Sequence, residues 1–282
     1  MPVRYVAGVD TLLVAGATLA GLVIGGALDP VGQRLADQSR ADDERRRADQ
    51  EASAAAADGH LPMTVSEAGD PTSDTTGEPV ATPEALRELL PAGRSPRRSA
   101  IAAVVTGVLF GAAAWHFGPD VIVAPFCVFF AMLVVVSTTD LSHNLVPRRA
   151  VYLALALIVP LLVLTSGVDH RWHSLAGSAA AGAVAFGLFF GVWWFVPRGM
   201  GFGDVRLAGV IGVTVGYLSL LHAYVAFLAG FVTGMLFGLA ALAVTSSGRK
   251  TRIPFAPSLA VGAVFGVLWG GQVAHNLFHA GS

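Results

Sequence analysis

The chain has 282 residues, of which 54% are hydrophobic and only 13% are charged. A soluble domain carries about 25% charged residues, so this composition excludes an ordinary soluble globular protein. The net charge of −1 gives no bulk attraction to polyanions, and no nucleic-acid partner is predicted. The apolar residues are gathered into long runs, which is typical of an integral membrane protein in a lipid bilayer.

Eight apolar runs approach the length of about 20 residues that a transmembrane helix needs. They are predicted at 6–28, 99–117, 121–139, 150–167, 174–197, 205–221, 224–246 and 255–277. The sixth is the weakest, because it is short and carries Arg206 near its start. The first is expected to be a retained span and not a cleaved signal peptide, since seven more spans follow. The fold class is therefore an all-α, polytopic membrane helix bundle with about eight transmembrane helices.

The chain divides into three predicted segments. Residues 1–28 form the first transmembrane helix, 29–98 form a polar loop on the cytoplasmic side, and 99–282 form a seven-helix membrane domain with the candidate catalytic site. The charged start of the loop favours a short helix continuing from the first span, and the remainder is low in complexity and predicted to be partly disordered. The single cysteine, Cys127, excludes an internal disulfide and paired CxxC zinc motifs, so no metal is predicted.

The 17 arginines and one lysine predict the orientation of the bundle through the positive-inside rule. Sixteen of these charges fall in alternate connections, namely the first loop and the turns after the third, fifth and seventh spans. Only Arg4 and Arg171 fall on the opposite side. The side rich in positive charge is predicted to be cytoplasmic, which places both termini outside.

Two carboxylates lie at predicted cytoplasmic helix ends after residue 98. Asp140 ends the third span and Asp204 begins the sixth, whereas Asp120 and Asp169 fall in external loops. Carboxylates close to hydrocarbon are costly and are candidates for function. Two carboxyl groups in contact share a proton, and such a pair supplies the base and the acid of an aspartic protease. Asp140 and Asp204 are therefore the candidate catalytic residues.

Ion pairing and ion transport are alternative roles for these two aspartates, and the carboxylates alone leave both open. Each aspartate would find a nearby arginine, Arg148 or Arg206, with which to form an ion pair at the interface. The pair would also suit a proton-coupled or cation-coupled transporter or channel. Its position at one membrane face, with no polar site deeper in the spans, favours a protease over a transporter.

Glycines alternate immediately before Asp204, at Gly199, Gly201 and Gly203. Such a run disfavours a continuous helix and permits close backbone approach. Irregular backbone at membrane depth occurs only where it is buried in protein or lines a wet cavity. Both water and an extended substrate backbone would need such a place beside the carboxylate.

Glycine also recurs at every third or fourth position in the last three predicted spans. This spacing predicts close helix packing in lipid and indicates that spans six to eight form a tight unit. The glycines concerned are Gly209, Gly212 and Gly216, then Gly230, Gly234 and Gly238, then Gly262, Gly266 and Gly270.

Three segments together resemble the type IV prepilin peptidases. The sequence GFGD, with Gly201, Gly203 and Asp204, resembles the GxGD motif of intramembrane aspartyl proteases. The segment from Asp140 to Pro147 resembles the first aspartate motif of prepilin peptidases, in which a hydrophobe and a proline follow the aspartate.

The third segment resembles the family's short motif between the last two spans. There a basic residue, Lys250, precedes Pro254, Phe255 and Pro257. The resemblance covers nearly the whole chain. It implies supporting roles for these residues and for Gly201, Gly203 and Pro147.

The resemblance implies an endopeptidase of the bacterial cytoplasmic membrane that acts at its cytoplasmic face. Its expected partner is a prepilin, or a pseudopilin of type II secretion, with a basic leader before an N-terminal transmembrane helix. Many members also methylate the new N-terminus with S-adenosylmethionine and carry zinc-binding cysteines in the first loop. This loop has no cysteine, and Asp29 stands where those members have asparagine. Peptidase activity alone is therefore favoured, with no cofactor unless methylation is retained.

Overall fold

The computed structural model describes residues 9–57, 96–143, 146–196, 200–244 and 255–279. Within these ranges the chain forms eight α-helices and no strands, which confirms the predicted all-α class. Most of the predicted low-complexity loop, residues 58–95, lies outside the described residues. The helices are α1 (Val9–Ala57), α2 (Pro96–Phe117), α3 (Val123–His143), α4 (Arg148–Asp169), α5 (Trp172–Phe195), α6 (Phe202–Gly216), α7 (Leu220–Val244) and α8 (Ala256–His279).

Seven of these helices, all except α6, are long and apolar enough to cross a membrane. The chain is therefore a multi-pass membrane protein, as predicted. Helix α6 has 15 residues, which makes it about 22 Å long. The hydrocarbon core of a bilayer is about 30 Å thick, so α6 alone is too short to span it. The predicted sixth span, 205–221, begins three residues earlier and ends five residues earlier in the structure.

Helix α1 continues well past residue 28, where the first transmembrane segment was predicted to end. It passes through Pro30 and includes the whole charged stretch that was expected to extend the first span. Arg149 at the start of α4 holds this extension, because its guanidinium donates to Gln38 Oε1 at 2.7 Å and to Asp42 Oδ2 at 3.1 Å. The first part of the predicted loop is thus an ordered helix that rests on the bundle.

Helix α3 lies at the centre of the bundle, where it contacts α1, α2, α4, α6 and α8. Its buried face carries Phe126, Phe129 and Phe130, which have no exposed surface. Their ring centroids lie 5.8 to 6.4 Å apart, the spacing of a packed aromatic cluster. The opposite end of the same helix carries Asp140, so the central helix is apolar along most of its length and acidic at its last turn.

Glycine residues allow two pairs of consecutive helices to pack closely. A Cβ built on Gly262 of α8 would overlap the backbone of Gly230 on α7, which confirms the predicted close packing of these two spans. The glycines of α6 face α5, because a Cβ on Gly212 would lie 2.9 Å from the Cα of Gly182. The glycines of α6 therefore pack on α5, while other residues of α6 contact α7 and α8, the two spans with which a tight unit was predicted. Glycine spacing indicates a close-packing face but not which helix fills it.

We expect Gly262→Val to separate α7 from α8 and to destabilise the bundle by about 1–3 kcal/mol, the usual cost of overpacking a core. Gly187→Val on α5 is the matched control, since a Cβ there meets no atom within 4 Å. Thermal unfolding in detergent, followed by circular dichroism, measures both. Equal loss of stability in the two variants would contradict the glycine contact.

Candidate active site

Asp140 and Asp204 come from opposite helix ends and are both buried. Asp140 lies in the last turn of α3 with 5% of its surface exposed, and Asp204 lies in the first turn of α6 with 9% exposed. Helices α3 and α6 contact each other. The structure therefore brings the two predicted catalytic carboxylates into one buried region of the bundle.

The side chain of Asp140 is held by the start of the last helix. Its Oδ2 accepts a hydrogen bond of 3.1 Å from the backbone N–H of Ala256, the first residue of α8. The first N–H groups of a helix have no partner within it and carry the positive end of its dipole. Such a helix end is a natural place for an anion, so the contact stabilises the ionised form of Asp140.

The residues around Ala256 fix where α8 begins. Pro257 lies in the first turn, where a proline costs no hydrogen bond. The ring of Phe255 lies 5.9 Å from the ring of Phe231, and a Cβ on Gly234 would come within 2.8 Å of it. The aromatic ring thus anchors the start of α8 on α7 while the next N–H reaches the carboxylate. Phe255 and Pro257, both predicted as supporting residues, therefore lie beside the site.

Of the two glycines nearest Asp204, Gly203 is in close contact with a neighbouring segment and Gly201 is not. Helix α6 begins at Phe202, inside the glycine run, and Gly203 lies within the helix. A Cβ on Gly203 would lie 2.7 Å from the Cβ of Val146, in the segment that follows the first aspartate motif. A Cβ on Gly201 would lie in ordinary contact, 3.6 Å from Asp204 Oδ2. Gly203 is thus the point where the two aspartate motifs touch.

Pro147 ends the segment that follows Asp140 and begins the next helix. It is buried and has extended backbone angles, φ −68° and ψ 117°, and its carbonyl accepts the N–H of Val151 at 3.3 Å. The proline therefore fixes the start of α4. Two of the predicted supporting residues, Lys250 and Pro254, lie outside the described residues.

The electrostatics of the site couple the two carboxyl groups. Burial raises the pKa of Asp204 to about 7, the negative charge of Asp140 acts in the same direction, and a backbone hydrogen bond with Gly201 acts in the opposite one. Two carboxyl groups close enough to repel share a proton. A pKa of about 7 leaves part of the Asp204 population protonated near neutral pH. A carboxyl group that can hold a proton beside a second carboxyl group suits acid–base chemistry on water and a carbonyl.

The guanidinium of Arg206 lies on aromatic rings next to Asp204. Its central carbon is 4.5 Å from the ring centroid of Phe202 and 5.5 Å from that of Tyr152. Both distances are within the range of a cation–π interaction. Arg206, which the sequence suggested as an ion-pair partner for the aspartates, thus also stabilises the contact between α6 and α4.

A third buried carboxylate lies on α1, in the segment predicted as loop. Asp29 has 8% of its surface exposed and accepts a hydrogen bond of 2.9 Å from the hydroxyl of Ser99 on α2. It therefore joins the first two helices. Among the described residues, no group of three or more His, Cys, Asp or Glu side chains lies close enough to hold a metal ion.

Sequence reasoning missed Ala256 and Val146. Neither carries reactive side-chain chemistry, because the first acts through its backbone N–H and the second through its shape. Pro257 was a usable signal for the first, since proline in a first helical turn marks an N-terminus with free N–H groups. Nothing in the sequence pairs Val146 with Gly203.

These features define a multi-pass membrane protein in which two aspartates are buried in one region of the bundle. Residues 127–239, which include both aspartates, match the Type IV leader peptidase family. The matched region ends before the start of α8.

The chain is also similar to several curated proteins. The chain is similar to the protein named Prepilin leader peptidase/N-methyltransferase of Bacillus subtilis, with 32% identity over 61% of this chain and 66% of that protein. The proteins of the same name from Stutzerimonas stutzeri and Pseudomonas aeruginosa are 27% and 26% identical, over 63% and 64% of this chain. The chain thus covers 60% and 61% of those two proteins, and less than two thirds of each of the three. No solved structure matches it.

We expect Gly203→Ala to destabilise the protein by about 1–3 kcal/mol, because the added methyl group overlaps Val146. Gly201→Ala is the matched control and should cost less, since its methyl group meets only ordinary contacts. Thermal unfolding of the purified proteins measures both. In a Val146→Gly background, Gly203→Ala should cost less stability than it does in the wild type, because the side chain that the methyl group overlaps is gone. Strictly additive losses of stability would refute the contact.

Proposed function

We propose that this chain is a membrane aspartyl endopeptidase that removes the basic leader from prepilin-like or pseudopilin-like substrates. The observation that carries the proposal is the buried pair of Asp140 and Asp204. The charge of Asp140 raises the pKa of Asp204, and both residues lie in the region that matches the family. The relatives are named as prepilin leader peptidases, which supports the same substrate class.

In the proposed mechanism each carboxyl group has a distinct task. Asp140, whose ionised form the N–H of Ala256 stabilises, takes a proton from the attacking water. Asp204, whose raised pKa keeps it protonated near neutral pH, donates a hydrogen bond to the carbonyl oxygen of the scissile bond. The proton that Asp140 took from water then passes to the departing amine, so that Asp140 is ionised again and Asp204 is again protonated. No step needs a metal ion or a cofactor.

The proposed site faces the cytoplasm of a bacterial cell. The arginine-rich connections predict that side as cytoplasmic, and the structure places Arg149 at the start of α4 against the charged extension of α1. A basic leader would remain on this side while the apolar helix that follows it stays in the membrane. A transporter using the same carboxylates is not favoured, since the matched relatives carry peptidase names.

Asp140→Asn and Asp204→Asn should each lower the cleavage rate by about 10²-fold or more, since each removes one half of the acid–base pair. Inverted membrane vesicles, which expose the cytoplasmic face, are mixed with a prepilin-like substrate, and leader removal is followed by gel mobility. Near-normal cleavage by either variant would refute the dyad.

Asp120→Asn is the matched control for these variants. Asp120 lies between α2 and α3 and accepts the N–H of Ile122 at 3.4 Å, a role that the asparagine oxygen can fill. The Asp120→Asn protein should therefore cleave the substrate at the normal rate. The same reactions with S-adenosylmethionine present should show equal cleavage and no label on the new N-terminus, and robust labelling would show that methyl transfer is retained.

The cleavage rate should fall as the pH rises through about 7. Asp204 has a raised pKa and is protonated below about pH 7, so its proton is lost and the proposed acid disappears at higher pH. The value of kcat/KM is measured across this range, with thermal unfolding at each pH to separate inactivation from unfolding. A rate that keeps rising above about pH 8 would place the essential proton on another group.

A further inference from the structure

An apolar groove lies on the surface of the bundle between α2, α3 and α8, with a volume of about 470 Å³. Ile101 of α2 and Val261 and Trp269 of α8 form its walls, and they are 63%, 50% and 46% exposed. The buried side chain of Leu133 on α3 lies at its base. All three helices are long enough to span the membrane, so the groove opens sideways, towards lipid and not towards water.

One end of the groove lies beside the candidate active site. Thr138 and Leu141, which line it, are close neighbours of Asp140 on α3. Pro257, which also lines it, follows the residue whose N–H holds the Asp140 carboxylate. A chain segment that lies in the groove would therefore reach the level of the carboxylates at this end.

The dimensions and chemistry of the groove match an apolar helix. Its lining runs along α8 from Pro257 to Trp269, a distance of about 18 Å or three helical turns. Among the described residues that line it none is charged, and the hydroxyl groups among them, those of Ser137 and Thr138, lie at the end nearest Asp140. The small side chain of Ala260, which is 8% exposed, leaves room for close helix approach.

A second cavity near the site is less suited to this role. It lies between α4, α5 and α6, has a volume of about 260 Å³ and is lined by Arg206. An apolar helix placed there would remove solvent from a guanidinium, at a cost that the first groove does not impose. The charge difference between the two openings thus directs an apolar segment to the groove between α2 and α8.

We propose that the groove between α2, α3 and α8 binds the apolar helix that follows the scissile bond of the substrate. The inference rests on the proposed peptidase function and names the surface that presents the substrate to it. A docked helix would lie along α8, and the peptide bond before it would lie at the Thr138 and Leu141 end, next to Asp140.

The first test fills the groove and measures kinetics. Val261→Trp should raise KM for a prepilin-like substrate about tenfold, while kcat is retained, because the added ring takes space that the helix needs. Val184→Trp on α5 is the matched control, since this valine is 60% exposed and does not line the groove. An unchanged KM for Val261→Trp while the wild type cleaves normally would overturn the groove and leave the peptidase function standing. Absence of cleavage by the wild type would instead refute the function.

The second test locates the bound helix by disulfide formation. In a Cys127→Ala background, Val261→Cys and Val184→Cys are each combined with Asp204→Asn, so that substrate is bound but not cleaved. A substrate with one cysteine in its apolar helix should form a disulfide with the Val261→Cys protein and not with the Val184→Cys protein. A disulfide only at position 184, or one between two copies of the enzyme through position 261, would overturn the proposal. Absence of any disulfide at 261 would overturn it as well, because lipid alone would then occupy the groove.

Discussion

The hydrogen bond from the backbone of Ala256 to Asp140 joins α8 to α3 through two residues that are 116 positions apart in sequence. It requires α8 to begin at one particular residue and at one particular depth beside α3. Phe255 sets that start by packing on α7, and the contact between Gly262 and Gly230 keeps α7 and α8 together. The position of one carboxylate therefore depends on the packing of the last two helices.

Burying two carboxyl groups is costly, and the fold offsets this cost with helix ends. Asp140 lies at the N-terminus of α8 and Asp204 lies in the first turn of α6, so the positive ends of two helix dipoles converge on the pair. This arrangement stabilises one negative charge but not two, since the carboxyl groups repel each other. A pair that served stability alone would be replaced at little cost by apolar side chains, which favours a chemical role for the two aspartates.

The sequence predicted most of the fold because a bilayer sets the length of its spans. Seven helices overlap the spans that hydropathy predicted, although α1 continues well beyond its predicted end. Helix α6 is shorter than predicted and begins earlier. Asp140 and Asp204 could be singled out because acidic residues are rare in the membrane domain. The N–H of Ala256 and the contact of Gly203 with Val146 could not, since both depend on distances between helices that no local pattern encodes.

The surroundings of the carboxylate pair differ in polarity on its two sides. Beside Asp140 lies the uncharged groove of α2, α3 and α8, and beside Asp204 lies the cavity lined by Arg206. A guanidinium repels a basic peptide and disfavours an apolar one, whereas the groove accepts an apolar helix without loss of hydration. On the proposed function, a substrate with a basic leader and an apolar helix therefore has one approach that satisfies both parts. Its helix enters through the groove, and its leader stays in water on the side away from Arg206.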